Sequence, residues 1–444
     1  MSTIIEQADT RALLISIRTP NAKIEEINGS LAELGRLVST LGFTVFATQT
    51  QKQNSTKRLS VLGEGKLEEL ARMTGELDDA EQKDSLANID EQGLNEFLSA
   101  SQSKRHANVV VFDCELSPMQ LRNVEDVLGV EVFDRTGIII EIFSRHASTR
   151  TARLQVELAR LSYLTPRLRS EHSGDRERQS ARGEGESLLA VERRSIRDKK
   201  AELKRELKKA QEVMLEQRSS RVETPCVALV GYTNAGKSSL MRGLTGSDVL
   251  VEDKLFATLD TTVRALSPLT QPRILISDTV GFINKLPHDL IASFHSTLEE
   301  AKDAILLLYV VDASDKDFRT QLSVVNGALQ QLNLDTNNRL LLLNKVDCLT
   351  QVERQTLSSE FPNALQISTR NADDVSLVHQ AIQDFIAKQM CTACFNIPYT
   401  ASGIMGEIHS KMQVIEEEYH ENGMRLTLKA SPVALERLNK MLQK

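Results

Sequence analysis

No apolar run in this sequence of 444 residues is long enough to cross a bilayer. The longest lies near AILLLYVV, residues 304–311, well short of the ~20 residues a membrane helix needs. The N-terminus, MSTIIEQADTR, lacks the basic segment and apolar core of a secretory signal. Cysteine is scarce, with five residues scattered at Cys114, Cys226, Cys348, Cys391 and Cys394. That argues against a disulfide framework and suits a reducing, cytoplasmic setting. CTAC (391–394) has the spacing of half a metal site, but no second pair completes it, and His409 and His420 stand alone. A net positive charge is missing too. The formal balance is −7, which argues against nonspecific nucleic-acid binding. The charge is unevenly spread, however. Residues 144–221 hold 20 Lys+Arg against 12 Asp+Glu, a local +8 that leaves −15 for the rest. An acidic chain with one basic segment fits either a selective contact with a polyanion or a solvated helical face of mixed charge.

The remaining composition, 41% hydrophobic and 26% charged, is that of a soluble protein able to bury several cores. Residues 1–143 alternate strand-like runs (11–19, 43–49, 108–113) with helical patterns (24–41, 66–73), which predicts an α/β domain with a mainly parallel sheet. GEGK (63–66) reads as a turn opening a helix. The polar, acidic stretch 75–105 reads as an insertion. Residues 144–221 read as a basic helical hairpin. Its second arm carries Ile196, Leu203, Leu207 and Ala210, with Val213 or Met214, on one stripe, and its tip is the polar segment 170–187. The stripe is expected to pack within the chain rather than to zip a dimer, so a monomer is the default. Residues 222–389 repeat strand and helix, and 390–444 read as a small β-α-β-α unit with a helix from about Gly403 to Tyr419.

GYTNAGKSSL (231–240) follows the apolar run VALV and opens a helix. It fits G-x-x-x-x-G-K-[ST], a phosphate-binding loop. Gly231 and Gly236 let backbone N–H groups of Tyr232, Thr233, Asn234 and Ala235 turn toward an anion at the positive end of the helix dipole. Lys237 is expected to reach the β/γ-phosphates and Ser238 to bind Mg²⁺. NKVD (344–347) follows the apolar strand LLLL. Asp347 there can accept two N–H bonds from guanine, which adenine cannot supply. Asn344 is expected on the purine edge, with the Lys345 stem covering the base and Val346 between them. DTVG (278–281) ends the strand ILIS. Asp278 is expected to hold Mg²⁺ through water and Gly281 to sense the γ-phosphate, with Thr279 and Val280 between them. Phe256, Ala257, Thr258, Leu259 and Asp260 occupy the place of a first switch. Thr258 is the first choice for the threonine that closes on Mg²⁺, with Thr261 and Thr262 next. ISTR (367–370) resembles a guanine-contacting S-A-K loop, with Ser368 retained and Thr369 and Arg370 substituted. Together these motifs predict a GTP-hydrolysing P-loop domain in which Lys237, Thr258, Asp278 and Gly281 serve the reaction.

The residue after DTVG is Phe282. Many GTPases place a glutamine there to orient water, and phenylalanine can neither accept a proton nor hydrogen-bond water. The expectation is slow intrinsic hydrolysis and a trigger supplied by a partner.

Longer stretches carry a resemblance. VLGEGKLEEL (61–70), FDCELSPMQLRNVE (112–125), FDRTGIIIEIFSRHASTRTARLQVELARLSYLTPRL (133–168), DKLFATLD (253–260) and DTVGFINKLPHDLIASFHSTLEEA (278–301) look like hallmarks of the HflX-type GTPases of the Obg–HflX group. The resemblance covers nearly the whole chain and includes a hydrophobic residue in the glutamine position. It implies a multidomain α/β protein: a Ras-like G domain with an N-terminal α/β domain, a helical hairpin and a small C-terminal α+β domain. It also implies binding to the large ribosomal subunit or 70S ribosome through 23S rRNA, hydrolysis stimulated by the ribosome, and ribosome splitting or rescue under stress. A ribosome-assembly GTPase and an RNA-binding protein gated by GTP are the alternatives. GEGESLLA (183–190) departs from the family's G-x-G-E-x-Q-L-E at Leu188 and Ala190. With the 75–105 insertion, this is consistent with a divergent paralogue.

Overall fold

The computed structural model describes residues 10–20, 22–53, 61–75, 106–171, 188–219, 224–246, 255–256, 262–285, 301–331, 337–399, 402–421 and 423–442. The chain divides into two compact units, 1–145 with 156–204, and 146–155 with 205–444. The insertion beyond Gly75, the hairpin tip 172–187 and the switch residues Ala257, Thr258, Leu259, Asp260 and Thr261 lie outside the described residues.

In the first unit, β1 (Arg11–Arg18), β2 (Thr44–Lys52), β3 (Val109–Phe112) and β4 (Glu131–Asp134) form a wholly parallel sheet in the order β2-β1-β3-β4. Strands covered on both faces read as continuous apolar runs, and all four residues of VVVF in β3 are buried. Helix α1 (Ile24–Thr40) turns Ile27, Leu31, Leu34, Leu37 and Val38 inward at helical spacing. Helix α2 (Glu64–Thr74) starts after Gly63, as the GEGK turn predicts, and ends at Gly75 with φ +89°. Helix α3 (Pro118–Leu128) begins with a capping box between Ser117 and Gln120, an arrangement that stabilises a helix by ~1 kcal/mol. Helix α4 (Arg135–His146) follows β4 directly. The periodicity reading did not separate α3, β4 and α4.

A charged network lies at the C-terminal edge of this sheet. Arg135 is 1% exposed and pairs with Glu33 and, at 2.8 Å, with Asp113. Asp134 accepts from the Tyr163 hydroxyl at 2.6 Å and from Arg167 at 3.1 Å. Buried charges of this kind persist only when paired. Tyr163 and Arg167 belong to α5 (Arg150–Glu171). With α6 (Leu188–Ser219), α5 supplies the two long helices expected of the hairpin.

In the second unit, β5 (Cys226–Gly231), β6 (Thr262–Ala265), β7 (Leu275–Asp278), β8 (Leu306–Asp312), β9 (Arg339–Asn344) and β10 (Leu365–Gln366) form one sheet in the order β10-β9-β8-β5-β7-β6. Only β6 runs antiparallel to its neighbour. Its core joins Val227, Leu229, Leu240, Ile276, Leu308, Val310 and Leu342. Helices α7 (Lys237–Thr245), α8 (Phe318–Gln331), α9 (Gln351–Glu360) and α10 (Ala372–Gln389) accompany these strands. In a parallel sheet the loops at the strands' carboxyl ends gather ligands, and the phosphate loop, DTVG, NKVD and ISTR lie at the carboxyl ends of β5, β7, β9 and β10.

The C-terminal segment corrects the β-α-β-α expectation. It runs β11 (Cys391–Pro398), α11 (Ser402–Lys411), β12 (Gln413–His420), β13 (Gly423–Ala430), α12 (Pro432–Leu442), with an antiparallel sheet ordered β11-β13-β12. The helix expected to reach Tyr419 stops at Lys411. QVIEEEYH contains strong helix formers, but it pairs along β13 and Val414 packs on the core of Leu426 and Leu428. Strand pairing and packing outweigh propensity here.

Candidate nucleotide site

The loop after β5 has the backbone a phosphate loop requires. Gly236 has φ +97° and Asn234 φ +60°, a left-handed region in which glycine is unstrained. A Cβ on Gly231 would strike the Val310 carbonyl, and one on Gly236 the Asn344 amide. Lys237 opens α7 and is buried. Its ammonium donates to the carbonyls of Gly231 at 3.2 Å and Tyr232 at 2.8 Å, leaving one N–H donor. Burial lowers its pKa from 10.5 to about 8, opposed by the charge of Asp278. The Ser238 hydroxyl donates to Asp278 Oδ2 at 3.1 Å. Two adjacent oxygens of this kind suit a hard cation.

DTVG lies directly against this loop. Asp278 is fully buried at the end of β7, and the Thr279 hydroxyl donates to the Leu229 carbonyl at 2.6 Å. A Cβ on Gly281 would stand 2.9 Å from Thr233 Cγ2 and 3.0 Å from Lys237 Nζ. Phe282 is buried, and its backbone pairs with the phosphate loop in a short parallel bridge with Tyr232. Thr233 N donates to Phe282 O at 2.8 Å and Phe282 N donates to Gly231 O at 3.1 Å. Asn284 N donates to the Tyr232 hydroxyl at 2.6 Å. Of the first-switch residues, Phe256 is described: it is buried and has φ +59°. Thr262, the third threonine considered, sits in β6 opposite Asp278.

On the base side, Asn344, expected on the purine edge, also ties loops together. Its Nδ2 donates to Ala235 O at 2.8 Å and its Oδ1 accepts from Thr369 N at 3.1 Å. Lys345 has φ +61° and pairs with Asp312 at 2.7 Å. Val346 is buried in the 3-10 turn that carries Asp347. Asp347 is held below the usual carboxylate range, chiefly by the Ser368 hydroxyl and also by Arg370, whose guanidinium lies 3.6 Å away. Ser368 N donates to Asp374 at 2.7 Å. Motif reading missed Asp312 and the Tyr232 hydroxyl. Asp312 carries no motif signal: VVD ends an apolar strand, but only the sheet sets that strand beside the one ending in Asn344. Among the described residues, no group of three or more His, Cys, Asp and Glu side chains could hold a metal, and Cys391 and Cys394 are free and exposed on β11.

A phosphate loop, a buried aspartate beside its serine, a glycine pressed on that loop and an N-K-x-D turn, all on one sheet edge, define a P-loop GTPase. Family profiles match along the chain: a GTP-binding GTPase N-terminal region over residues 28–144, a GTP-binding GTPase middle region over 146–221, and a 50S ribosome-binding GTPase over 226–345. A protein named GTPase HflX from Gluconacetobacter diazotrophicus is 49% identical over 97% of each chain. Another of that name from Caldanaerobacter subterraneus is 34% identical over 97% of this chain and 94% of its own. A GTP-binding protein from the archaeon Sulfolobus solfataricus, solved with GDP, covers 85% of this chain and 98% of its own at 21% identity and TM-score 0.43. The chain belongs to the HflX family of GTPases. No helix among its described residues is long and apolar enough to cross a membrane.

Proposed function

We propose that this GTPase acts on the large ribosomal subunit or the 70S ribosome, in splitting or rescue under stress, and that the ribosome triggers its hydrolysis. The observation that carries the proposal is Phe282. The position that orients water in many GTPases holds a buried phenyl ring, and its backbone is paired to the phosphate loop. A partner must therefore supply what the side chain cannot. The description of the matched family as 50S ribosome-binding supports the ribosome as that partner. The basic middle region, 20 Lys+Arg against 12 Asp+Glu over 144–221, supports contact with 23S rRNA phosphates.

Within the site, Lys237 directs its remaining donor to a phosphate oxygen. The backbone N–H of Gly281 approaches the γ-phosphate, a role in which any side chain would collide. Asp347 accepts the guanine N–H groups, and the backbone of Ser368, Thr369 and Arg370 borders the base. Ser238, with Thr258 and, through water, Asp278, would hold Mg²⁺. When bound, that ion neutralises charge on the β- and γ-phosphates. We assign four working parts: the N-terminal domain (1–143), the hairpin (144–221), the G domain (222–389) and the C-terminal domain (390–444), in a cytoplasmic monomer.

The test is GTP turnover with and without purified large subunits, with Lys237→Ala as the blank, alongside sedimentation of 70S particles. Stimulated turnover with loss of 70S supports the proposal. Binding without stimulation favours a GTP-gated RNA-binding protein, and stimulation confined to immature subunits favours an assembly factor.

A further inference from the structure

Asp312 ends β8 and lies beside Asn344 in the parallel register. Lys345, one residue further on, adopts φ +61°, a conformation that costs a non-glycine residue ~1 kcal/mol. Its ammonium nonetheless reaches Asp312 Oδ2 at 2.7 Å, with side-chain exposures of 29% for Lys345 and 17% for Asp312. The other carboxylate oxygen accepts from Ser314 N at 3.0 Å and from the Ser314 hydroxyl at 2.6 Å. Asp312 is therefore held on one side by its own loop and holds Lys345 on the other.

We propose that Asp312 is a positioning residue for the purine: it anchors the Lys345 ammonium so that the side-chain stem stands as a fixed apolar wall against the base. This rests on the reading of residues 344–347 as the guanine site. An unanchored lysine loses up to ~2 kcal/mol of side-chain entropy when it is ordered. Holding it in place beforehand removes part of that cost from nucleotide binding. The gain applies equally to GDP and GTP, because the base is common to both, and it leaves the chemistry at the γ-phosphate untouched.

Asp312→Asn keeps an acceptor for Ser314 and removes the anion. The expected result is five- to tenfold weaker binding of fluorescent GDP and GTP alike, equivalent to about 1 to 1.4 kcal/mol. Turnover at saturating GTP stays within about twofold of wild type, because uniform binding alone is lost. The Asp312→Asn/Lys345→Met double variant binds no more weakly than Lys345→Met. Affinity within twofold of wild type, additive losses in the double variant, or a fall in saturated turnover matching the fall in affinity would each overturn the proposal. Lys345→Met alone tests it even where Asp312→Asn does not fold. It keeps most of the stem and removes the anchor, so affinity drops by a similar factor, and unchanged affinity overturns the idea. Absence of nucleotide binding by the wild-type protein would instead overturn the guanine-site reading itself.

Discussion

Replacing Lys237 with methionine should stabilise the nucleotide-free protein while abolishing nucleotide binding. Lys237 is 6% exposed, and burial, only partly offset by Asp278, brings its pKa from 10.5 down to about 8. At ~1.4 kcal/mol per pH unit, that fall sets about 3 kcal/mol against the folded, empty protein at neutral pH. Methionine keeps most of the volume without the charge. The two carbonyls that Lys237 bonds keep other donors, since Gly231 O accepts from Phe282 N and Tyr232 O from Ala235 N. After allowing for the lost ammonium bonds, a net gain of about 2 kcal/mol remains, or roughly 4–8 °C in melting temperature for a domain of this size. The pH dependence follows from the same shift. Between pH 8 and 10.5 the unfolded chain binds a proton at this residue that the folded chain does not. Stability of the wild-type protein therefore rises with pH through that window, and Lys237→Met loses this increment. A bound polyphosphate restores the charged form, so GDP binding near pH 8.5–9 takes up a proton, readable as a buffer-dependent enthalpy in titration calorimetry. Thermal melts of the apo proteins at pH 7 and pH 10 decide the matter. A variant that melts below wild type at pH 7, or keeps the wild-type pH dependence, refutes the reasoning.

Gly281→Ala places a methyl group 2.9 Å from Thr233 Cγ2 and 3.0 Å from Lys237 Nζ, so DTVG must retreat from the phosphate loop. GTP turnover should fall at least about tenfold while GDP binding, measured by fluorescence, persists; undiminished turnover would contradict the γ-phosphate role. In the first unit, a Cβ on Gly137 would lie 2.6 Å from the Tyr163 hydroxyl, which Asp134 requires at its own 2.6 Å. Gly137→Ala should cost about 1–3 kcal/mol in urea unfolding, and wild-type stability would show that the contact relaxes freely.

Local motifs were legible because their function fixes spacing as well as residue type. Gly231, Gly236, Lys237, Ser238, Asp278 and Asp347 all lie at strand ends that the sheet brings to one edge. Spacing did not reveal which loop touches which. Asn344 reads as a base contact; that it also bonds Ala235, 109 residues away, follows only from the strand order. Asp312 was missed for the same reason: one aspartate after VV has no motif until β8 is set beside β9. The error in the C-terminal segment has another source. Glu416, Glu417 and Glu418 favour a helix as isolated residues, whereas the alternation of Leu426, Leu428 and Ala430 in β13 demands a strand partner, and the sequence does not say which segment provides it.

The hydrophobic residue after DTVG is more than a missing glutamine. A glutamine in that position acts through its side chain. Phe282 buries its ring and pairs its backbone with Gly231 and Thr233, so the segment that follows Gly281 is joined to the phosphate loop itself. Each of those two backbone bonds contributes a net ~1 kcal/mol, and the Tyr232–Asn284 bond adds a third of similar size. A few kcal/mol is within the range by which nucleotide or a docked partner shifts an equilibrium. These bonds use main-chain atoms and the Tyr232 hydroxyl rather than the Phe282 ring, so they couple residues 282–284 to the phosphate loop independently of the lost water-orienting side chain, and a trigger from outside the chain is expected to act on that coupling.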